Sequence, residues 1–260
     1  MSEDLLVERD GALAFLIFNR PKVRNALTFD IWDRLPKVLE ELAVNGRTRV
    51  AVFRGAGEHF SAGADIKEFE TVRANAEQAR VYSHTVDRAM AAIEAAPFPT
   101  LAMIRGVCLG GACELTMACD LRLAGDDARL GIPAAQRGIS IGAHEMRRLV
   151  HLVGPAEAKQ ILYTADLFGA AEALRMGVVN EVVPAADLEA RVRAVAERIA
   201  NNAPLSIQAI KAGVHAAVGL GGPGAAEAAE AMAMALFDSR DFQEASAAFL
   251  EKRKPVFIGR

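Results

Sequence analysis

The sequence predicts an α/β fold, because short apolar segments suited to buried strands alternate with longer segments of helical periodicity. The chain opens with two strand-like segments on either side of Asp10 and Gly11, a dipeptide typical of tight hairpin turns. Strand-like and helix-like segments then follow one another as far as residue 183. From Leu188 onward the periodicity is helical throughout.

Each element is expected where an apolar run is bounded by Gly, Pro or a capping residue. Strands are expected at residues 5–9, 12–18, 50–54, 99–105, 121–124, 128–132 and 178–183. Thr28 is a candidate N-cap for the first helix. Further helices are expected at residues 75–95, from 112, and at 143–152, 155–163 and 170–176. The linker-like residues 219–224 precede an alanine- and methionine-rich helix suited to packing on another helix or subunit.

Composition and charge indicate an ordinary soluble protein. A chain of 260 residues can form one or two domains with a sizeable core. Its 30 basic and 33 acidic residues give no electrostatic reason to expect nucleic acid or a membrane surface as a partner. The acidic start and the short apolar run at residues 12–18 predict neither a secretory leader nor a membrane span. The three closely spaced cysteines favour buried thiols in a reducing cytoplasm.

The most informative stretch is GVCLGGACELTMACD at residues 106–120, which combines a strand end, a glycine turn and a helix start. Gly110 and Gly111 allow backbone N–H groups to approach a ligand where a Cβ would collide with it. A helix beginning near Ala112 directs unpaired N–H groups and the positive end of its dipole at that turn. The expected ligand is an anion, or a carbonyl that becomes one during a reaction.

A second stretch, FSAGADI at residues 60–66, is another turn of small residues, and it follows the strand at residues 50–54. If both turns lend one N–H to the same oxygen, they form an oxyanion hole. Removing one donor from such a hole typically costs ~3–4 kcal/mol of transition-state stabilisation.

These motifs resemble those of the crotonase, or enoyl-CoA hydratase/isomerase, superfamily. The resemblance rests on FSAGADI, on GVCLGGACE at residues 106–114 and on MACD at residues 117–120. Shorter matches are NRP at residues 19–21, NAL at residues 25–27 and EKRKP at residues 251–255. The matches run through essentially the whole chain.

The resemblance implies a spiral core of ββα turns over residues 1–200, which carries an acyl-CoA site. It also implies a C-terminal helical region over residues 201–260 that builds homotrimers, often paired into hexamers. The expected partners are therefore an acyl-CoA substrate and other copies of the chain.

The resemblance also implies roles for individual residues. The backbone N–H groups of Ala64 and Gly111 would hold the thioester carbonyl in an oxyanion hole. Residues expected to contact coenzyme A are Lys22, Arg24, Ala62, Asp65, Ile66, Lys67 and Lys252. Residues expected in the acyl pocket are Gly110, Ala134 and Ile141. The basic side chains suit the phosphates of coenzyme A, although a solvated basic surface explains each of them equally well.

Glu114 matches the first of two glutamates that hold the water in hydratases of this superfamily. A carboxyl beside an apolar acyl pocket has its pKa raised toward neutrality and can transfer a proton, which contributes roughly 10²–10⁴-fold to the rate. The alternative is that Glu114 only interacts favourably with the helix dipole.

The sequence departs from the superfamily at the second glutamate, because Pro133 is followed by Ala134, which cannot transfer a proton. The next segment reads IGAHEM at residues 141–146, where the superfamily has PGAGGT. His144 and Glu145 therefore occupy the positions of two glycines that line the acyl pocket. His144 is a candidate acid/base or acyl ligand, with Glu145 orienting it or acting itself. Alternatively, both point to solvent or narrow the pocket.

Three functions remain compatible with these residues. The best single prediction is an enoyl-CoA hydratase, a lyase of fatty acid metabolism. The second is another reaction through a thioester enolate, namely isomerisation, C–C cleavage or decarboxylation of a malonyl-type thioester, which needs little acid/base machinery. The third is an acyl-CoA-binding protein without catalysis. No metal or redox cofactor is expected, since coenzyme A arrives with the substrate and the sequence lacks a ligand cluster or dinucleotide fingerprint.

Overall fold

A computed structural model describes residues 3–260 and has the mixed α/β architecture predicted from the sequence. The strands are β1 (Leu5–Asp10), β2 (Leu13–Phe18), β3 (Val50–Gly55), β4 (Thr100–Ile104), β5 (Val107–Leu109), β6 (Leu121–Gly125), β7 (Arg129–Gly131), β8 (Phe168–Gly169) and β9 (Glu181–Val183). The helices are α1 (Phe29–Val44), α2 (Phe69–Val72), α3 (Ala76–Ala95), α4 (Gly111–Ala118), α5 (Ala143–Thr164), α6 (Ala170–Met176), α7 (Leu188–Ala200), α8 (Pro204–Ala217), α9 (Ala225–Ala235) and α10 (Arg240–Leu250).

The main sheet has the strand order β1-β2-β3-β4-β6-β9. The hairpin predicted at Asp10 and Gly11 is confirmed, because β1 and β2 pair antiparallel with Asp10 opposite Leu13. Every other pairing in this sheet is parallel. A second, smaller sheet has the order β5-β7-β8 and stands beside the first.

The side chains of β2 alternate between two cores because successive residues of a strand point to opposite faces. Leu16 and Phe18 belong to a large core that α1 and α3 cover. Phe15 and Ile17 belong to a smaller core that α7 closes with Val192 and other apolar residues. A parallel sheet covered on both faces needs strands that are apolar throughout, and all six residues of β2 are buried.

Three local features differ from the expectations. β5 and β8 were not predicted, because β5 lies in the stretch assigned to the glycine turn that follows Gly106 and β8 has only two residues. The strand expected at residues 178–183 begins only at Glu181, since residues 178–180 form the turn after α6. The helices expected at residues 143–152 and 155–163 are joined into α5, which kinks at Gly154 (φ 77°, ψ 167°).

The predicted N-cap is confirmed, because the Thr28 hydroxyl accepts a hydrogen bond from the Ile31 N–H.

The C-terminal helices α8–α10 lie outside the two sheets, and polar contacts hold α8 next to the start of β4 and β6 and α10 to the chain end. The Lys211 ammonium on α8 donates to the Asp120 carboxylate at 2.9 Å and to the Phe98 carbonyl at 3.3 Å. The Asp241 carboxylate on α10 accepts hydrogen bonds from two amides of the chain end. The division after residue 200 falls between α7 and α8 and stays a prediction. Within residues 3–260, no helix is long and apolar enough to cross a membrane.

Candidate active site

A pocket of about 140 Å³ opens where the two small-residue turns meet α3 and the start of α5. This volume is about ten times what one buried water requires. Among its lining residues are Trp32, Ala62, Ala64, Phe69, Arg73, Tyr82, Ser83, Asp87, Gly110, Gly111, Glu114, Ala134, Ile141 and Glu145. Eight of these, Ala62, Ala64, Gly110, Gly111, Glu114, Ala134, Ile141 and Glu145, are residues predicted from the sequence to form the site.

The first turn is held by hydrogen bonds on both sides. Ser61 forms a parallel bridge with Cys108 of β5, and its hydroxyl accepts a hydrogen bond from the Gly63 N–H at 3.1 Å. Ala64 forms a parallel bridge with Leu27, but its own N–H takes no part in it. The two hydrogen bonds of the bridge run from the Leu27 N–H to the Gly63 carbonyl and from the Asp65 N–H to the Leu27 carbonyl. The Ala64 N–H therefore has no backbone acceptor in the described chain, and the residue lines the pocket.

The second turn leads from β5 into α4. Gly110 has φ 52° and ψ −126°, a conformation accessible mainly to glycine, and its N–H donates to the Gly131 carbonyl at 2.8 Å. Gly111 is the first residue of α4, so its N–H has no acceptor within the helix. Like Ala64, Gly111 lines the pocket.

The two turns are in contact, and Gly63 is the residue between them. Gly63 has φ +90°, and a Cβ built on it would overlap the Leu109 carbonyl oxygen and lie 3.6 Å from the Gly111 nitrogen. Two unpaired amides on adjoining turns can donate to one oxygen, so this geometry suits stabilisation of a developing oxyanion.

Glu114 lies one turn into α4, half-buried, and lines the same pocket. Burial, together with the nearby charge of Glu145, raises the pKa of Glu114 from 4.5 to about 8, and Arg73 opposes the shift. A helix dipole alone would lower the pKa of a carboxyl near its N-terminus. Desolvation therefore dominates, and Glu114 holds a proton at neutral pH that it can give to a bound molecule.

The structure separates the two residues that replace the glycine pair. Glu145 is buried and lines the pocket, whereas His144 is exposed and lies outside its lining. Consecutive residues of a helix point about 100° apart, so only one of the two faces the cavity. The structure therefore places Glu145 but not His144 in the pocket lining, and the role of His144 as the acid/base stays a prediction. A Cβ at Gly142 would overlap Glu145 Oε2, so glycine at that position leaves room for the carboxyl.

Charged side chains from two helices surround Glu145. Arg148 donates to Glu145 at 3.3 Å, while its Nε and second terminal nitrogen bind Glu94 at 2.6 and 2.8 Å. Asp87 on α3 lies within side-chain hydrogen-bond reach of Glu145. Burial first, then the hydrogen bond and charge of Asp87, raise the pKa of Glu145. A hydrogen bond from its own backbone N–H opposes the shift more strongly than Arg148 does.

Most residues expected to contact coenzyme A are not part of the pocket lining. Ala62 is in the lining, and its N–H donates to the Arg24 carbonyl at 2.8 Å. The Asp65 carboxylate binds Arg20 at 2.8 Å and accepts from the Lys67 N–H, so it fixes the turn. The remaining candidates, Lys22, Arg24, Ile66, Lys67 and Lys252, are outside the lining.

Several lining residues on α2 and α3 were not predicted as part of the site. Tyr82 and Asp87 come from α3, and Arg73 lies in the segment between α2 and α3. The Arg73 guanidinium is 4.7 Å from the ring centroids of both Phe69 and Tyr82. Polar residues at positions 83 and 87, one helical turn apart beside the apolar face of α3, were the available signal.

No group of three or more His, Cys, Asp or Glu within residues 3–260 is arranged to hold a metal ion. The fold and the pocket place two unpaired backbone amides beside carboxyl groups, the arrangement expected of an enzyme that activates a carbonyl.

Comparisons with known proteins agree with this class. A family model described as Enoyl-CoA hydratase/isomerase matches residues 8–260. The chain is 36% identical over 260 residues to crotonyl-CoA hydratase from Syntrophomonas wolfei, with 99% of each covered. It is 35% identical over 257 residues to short-chain-enoyl-CoA hydratase from Clostridium acetobutylicum, with 96% of each covered. An enoyl-CoA hydratase/carnithine racemase structure from Magnetospirillum magneticum superposes with a TM-score of 0.94 at 36% identity, covering 100% of this chain and 97% of that one. The chain therefore belongs to the enoyl-CoA hydratase/isomerase family, and its fold is that of crotonases.

Proposed function

We propose that this protein is an enoyl-CoA hydratase that reversibly adds water to the double bond of a short 2-enoyl-CoA. The observation that carries the proposal is the position of Glu114, whose pKa desolvation raises to about 8, in a pocket that also presents the unpaired amides of Ala64 and Gly111. The names of the two hydratases cited above support the same reaction.

In the first step, the thioester oxygen accepts hydrogen bonds from the Ala64 and Gly111 N–H groups. Attack of water at Cβ moves the π electrons toward this oxygen and creates an enolate. Donors already fixed on two bonded turns need no reorganisation, and each contributes roughly 3–4 kcal/mol to the stability of the transition state.

The proton transfers are assigned to two carboxyl groups. Glu114 gives its proton to Cα as the enolate collapses. The Glu145 carboxyl group accepts a proton from the attacking water. The hydroxyl remains on Cβ, so one water is added in all. Glu145 would supply the function that Ala134 cannot, since both line the pocket.

For the coenzyme A portion, we assign the rim next to Ala62. The exposed basic residues of that rim, Lys22, Arg24 and Lys67, suit phosphate groups, and the Asp65 and Ile66 backbone continues the same turn. Lys252 follows α10 and would contribute in an assembly of subunits. Coenzyme A enters as part of the substrate, and the proposal requires no other cofactor.

We further propose that the protein is a cytoplasmic homotrimer or a hexamer of two trimers. Large apolar side chains from α8 to the end of α10 are left uncovered in the single chain: Ile210 on α8 is 61% exposed, Phe237 between α9 and α10 58% and Phe249 on α10 83%. Burial of this surface between subunits would remove it from water. Three free, buried cysteines are compatible with a reducing compartment.

The test is steady-state turnover of crotonyl-CoA by the wild type and by Glu114→Gln, with Glu41→Gln on the exposed face of α1 as the matched control. The proposal predicts that the wild type and the control hydrate crotonyl-CoA and that Glu114→Gln loses at least ~10²-fold in kcat. A wild type that binds the thioester but leaves it unchanged would overturn hydration. Decarboxylation of methylmalonyl-CoA and double-bond isomerisation would then be assayed, and binding without turnover of any of these thioesters would indicate an acyl-CoA-binding protein.

A further inference from the structure

A third carboxyl group stands beside the two used in the proposed hydration. Asp87 projects from α3, half-buried, and lines the pocket together with Glu114 and Glu145. Its side chain and that of Glu145 lie within hydrogen-bond reach. Two neighbouring carboxylates repel each other, and burial together with Asp87 favours the protonated form of Glu145.

The charged groups around this pair come from several elements. Arg148 is the cation in contact with Glu145, but two of its three guanidinium nitrogens bind Glu94. From α4, Glu114 faces the pair and carries its own proton. Tyr82 on α3 is neutral because burial raises its pKa to about 12, and Arg73 lies against its ring.

Glu145 alone is poorly suited to accept a proton from water, because burial and Asp87 favour its protonated form. It can act as a base only if its own proton has somewhere to go. Asp87 is the one carboxylate within hydrogen-bond reach of Glu145 among the residues that line the pocket.

We propose that Asp87 and Glu145 work as a proton-sharing pair that is the general base of hydration, in place of the carboxyl that Ala134 lacks. The inference rests on the proposed function. As the water oxygen bonds to Cβ, one water proton passes to Glu145 and the proton already on Glu145 passes to Asp87. Glu114 delivers its proton to Cα. The pair then holds two protons and Glu114 none, and transfer of one proton back to Glu114, directly or through water, restores the starting state.

Asp87 is thus a positioning residue for Glu145, and its substitution has a signature that a packing role does not. In Asp87→Asn, Glu145 loses the neighbour that raises its pKa, so it ionises at lower pH and becomes a weaker base. We expect kcat to fall ~10-fold with KM nearly unchanged, and the low-pH limb of the kcat profile to move to lower pH.

The experiment measures kcat and KM for crotonyl-CoA across pH in the wild type, Asp87→Asn, Glu145→Gln and Asp33→Asn. Asp33 pairs with Arg88 at 2.7 Å on the surface and serves as the matched control, while circular dichroism and thermal unfolding check the fold of each variant. Glu145→Gln is expected to lose at least ~10²-fold in kcat. Adding Ala134→Glu to Glu145→Gln returns a carboxyl to the pocket wall and is expected to restore part of that loss.

The outcomes separate the pair from the proposed function. A shifted low-pH limb in Asp87→Asn but not in Asp33→Asn supports the pair. A folded Asp87→Asn enzyme with unchanged kcat and an unmoved limb overturns the pair and leaves hydration intact. A change confined to KM also overturns it and makes Asp87 a substrate contact. A wild type that does not hydrate crotonyl-CoA overturns the proposed function itself.

Discussion

Glu114 is predicted to make the protein less stable as pH rises, and Glu114→Gln should remove that effect. The pKa of Glu114 is raised from 4.5 to about 8 in the folded state, mainly by burial. Between these two values the unfolded chain releases a proton that the folded chain retains. The contribution of Glu114 to the free energy of unfolding is therefore fully present below about pH 4.5 and is lost progressively as pH rises to about 8.

The size of the effect follows from the shift. A pKa raised from 4.5 to about 8 corresponds to about 5 kcal/mol of unfolding free energy lost by the time Glu114 is ionised. Glutamine is nearly isosteric with the protonated acid and does not ionise. Relative to the wild type, Glu114→Gln should therefore gain several kcal/mol at pH 9 compared with pH 5.

The measurement is urea unfolding of both proteins at pH 5 and pH 9, at equal protein concentration because assembly affects the midpoint. Glu41→Gln, exposed on α1, provides the baseline for removal of one surface charge. If the difference between wild type and Glu114→Gln is the same at both pH values, Glu114 is not held in its protonated form and the assigned acid is wrong.

Three further predictions concern the scaffold of the site. Gly63→Ala places a Cβ against the Leu109 carbonyl in a backbone conformation of positive φ, so the turn that presents the Ala64 N–H must shift. We expect kcat to fall about 10²-fold while the circular dichroism spectrum stays unchanged. In Arg122→Met, the acceptors that the buried guanidinium now satisfies lose their hydrogen bonds. The free energy of unfolding in urea should fall by roughly 3–5 kcal/mol, and a fall below about 1 kcal/mol would contradict this. Those acceptors are the carbonyls of Thr116, Cys119 and Val178 and the side chain of Asn180. Lys211→Met should loosen α8 and raise amide hydrogen exchange there, whereas unchanged exchange would show that packing alone holds the helix.

The sequence predicts the two backbone turns well because their requirements are local. Gly110 and Gly111 predict a turn followed by a helix, and the small residues around Gly63 predict the other turn. Both sets of residues line the pocket in the structure. The strands of the main sheet are similarly visible, since a strand buried on both faces is apolar throughout.

The side-chain chemistry of the site is harder to predict because it depends on how distant helices meet. Asp87 comes near Glu145 because α3 packs beside the start of α5, where Glu94 binds Arg148, and nothing near either residue in the sequence encodes that packing. His144 and Glu145 are adjacent, and both side chains can transfer a proton. Which of them faces the pocket depends on the residue at which α5 begins, because that residue sets the direction of every side chain along the helix. That starting point carries no N-cap side chain to mark it.

Hydration of crotonyl-CoA in water labelled with a heavy oxygen isotope tests the central claim most directly. Mass spectrometry of the wild-type reaction should show a 3-hydroxybutyryl-CoA product that carries one labelled oxygen at Cβ, and Glu114→Gln should form it at least ~10²-fold more slowly. Unlabelled product, or thioester returned unchanged by a folded protein that binds it, would contradict the account.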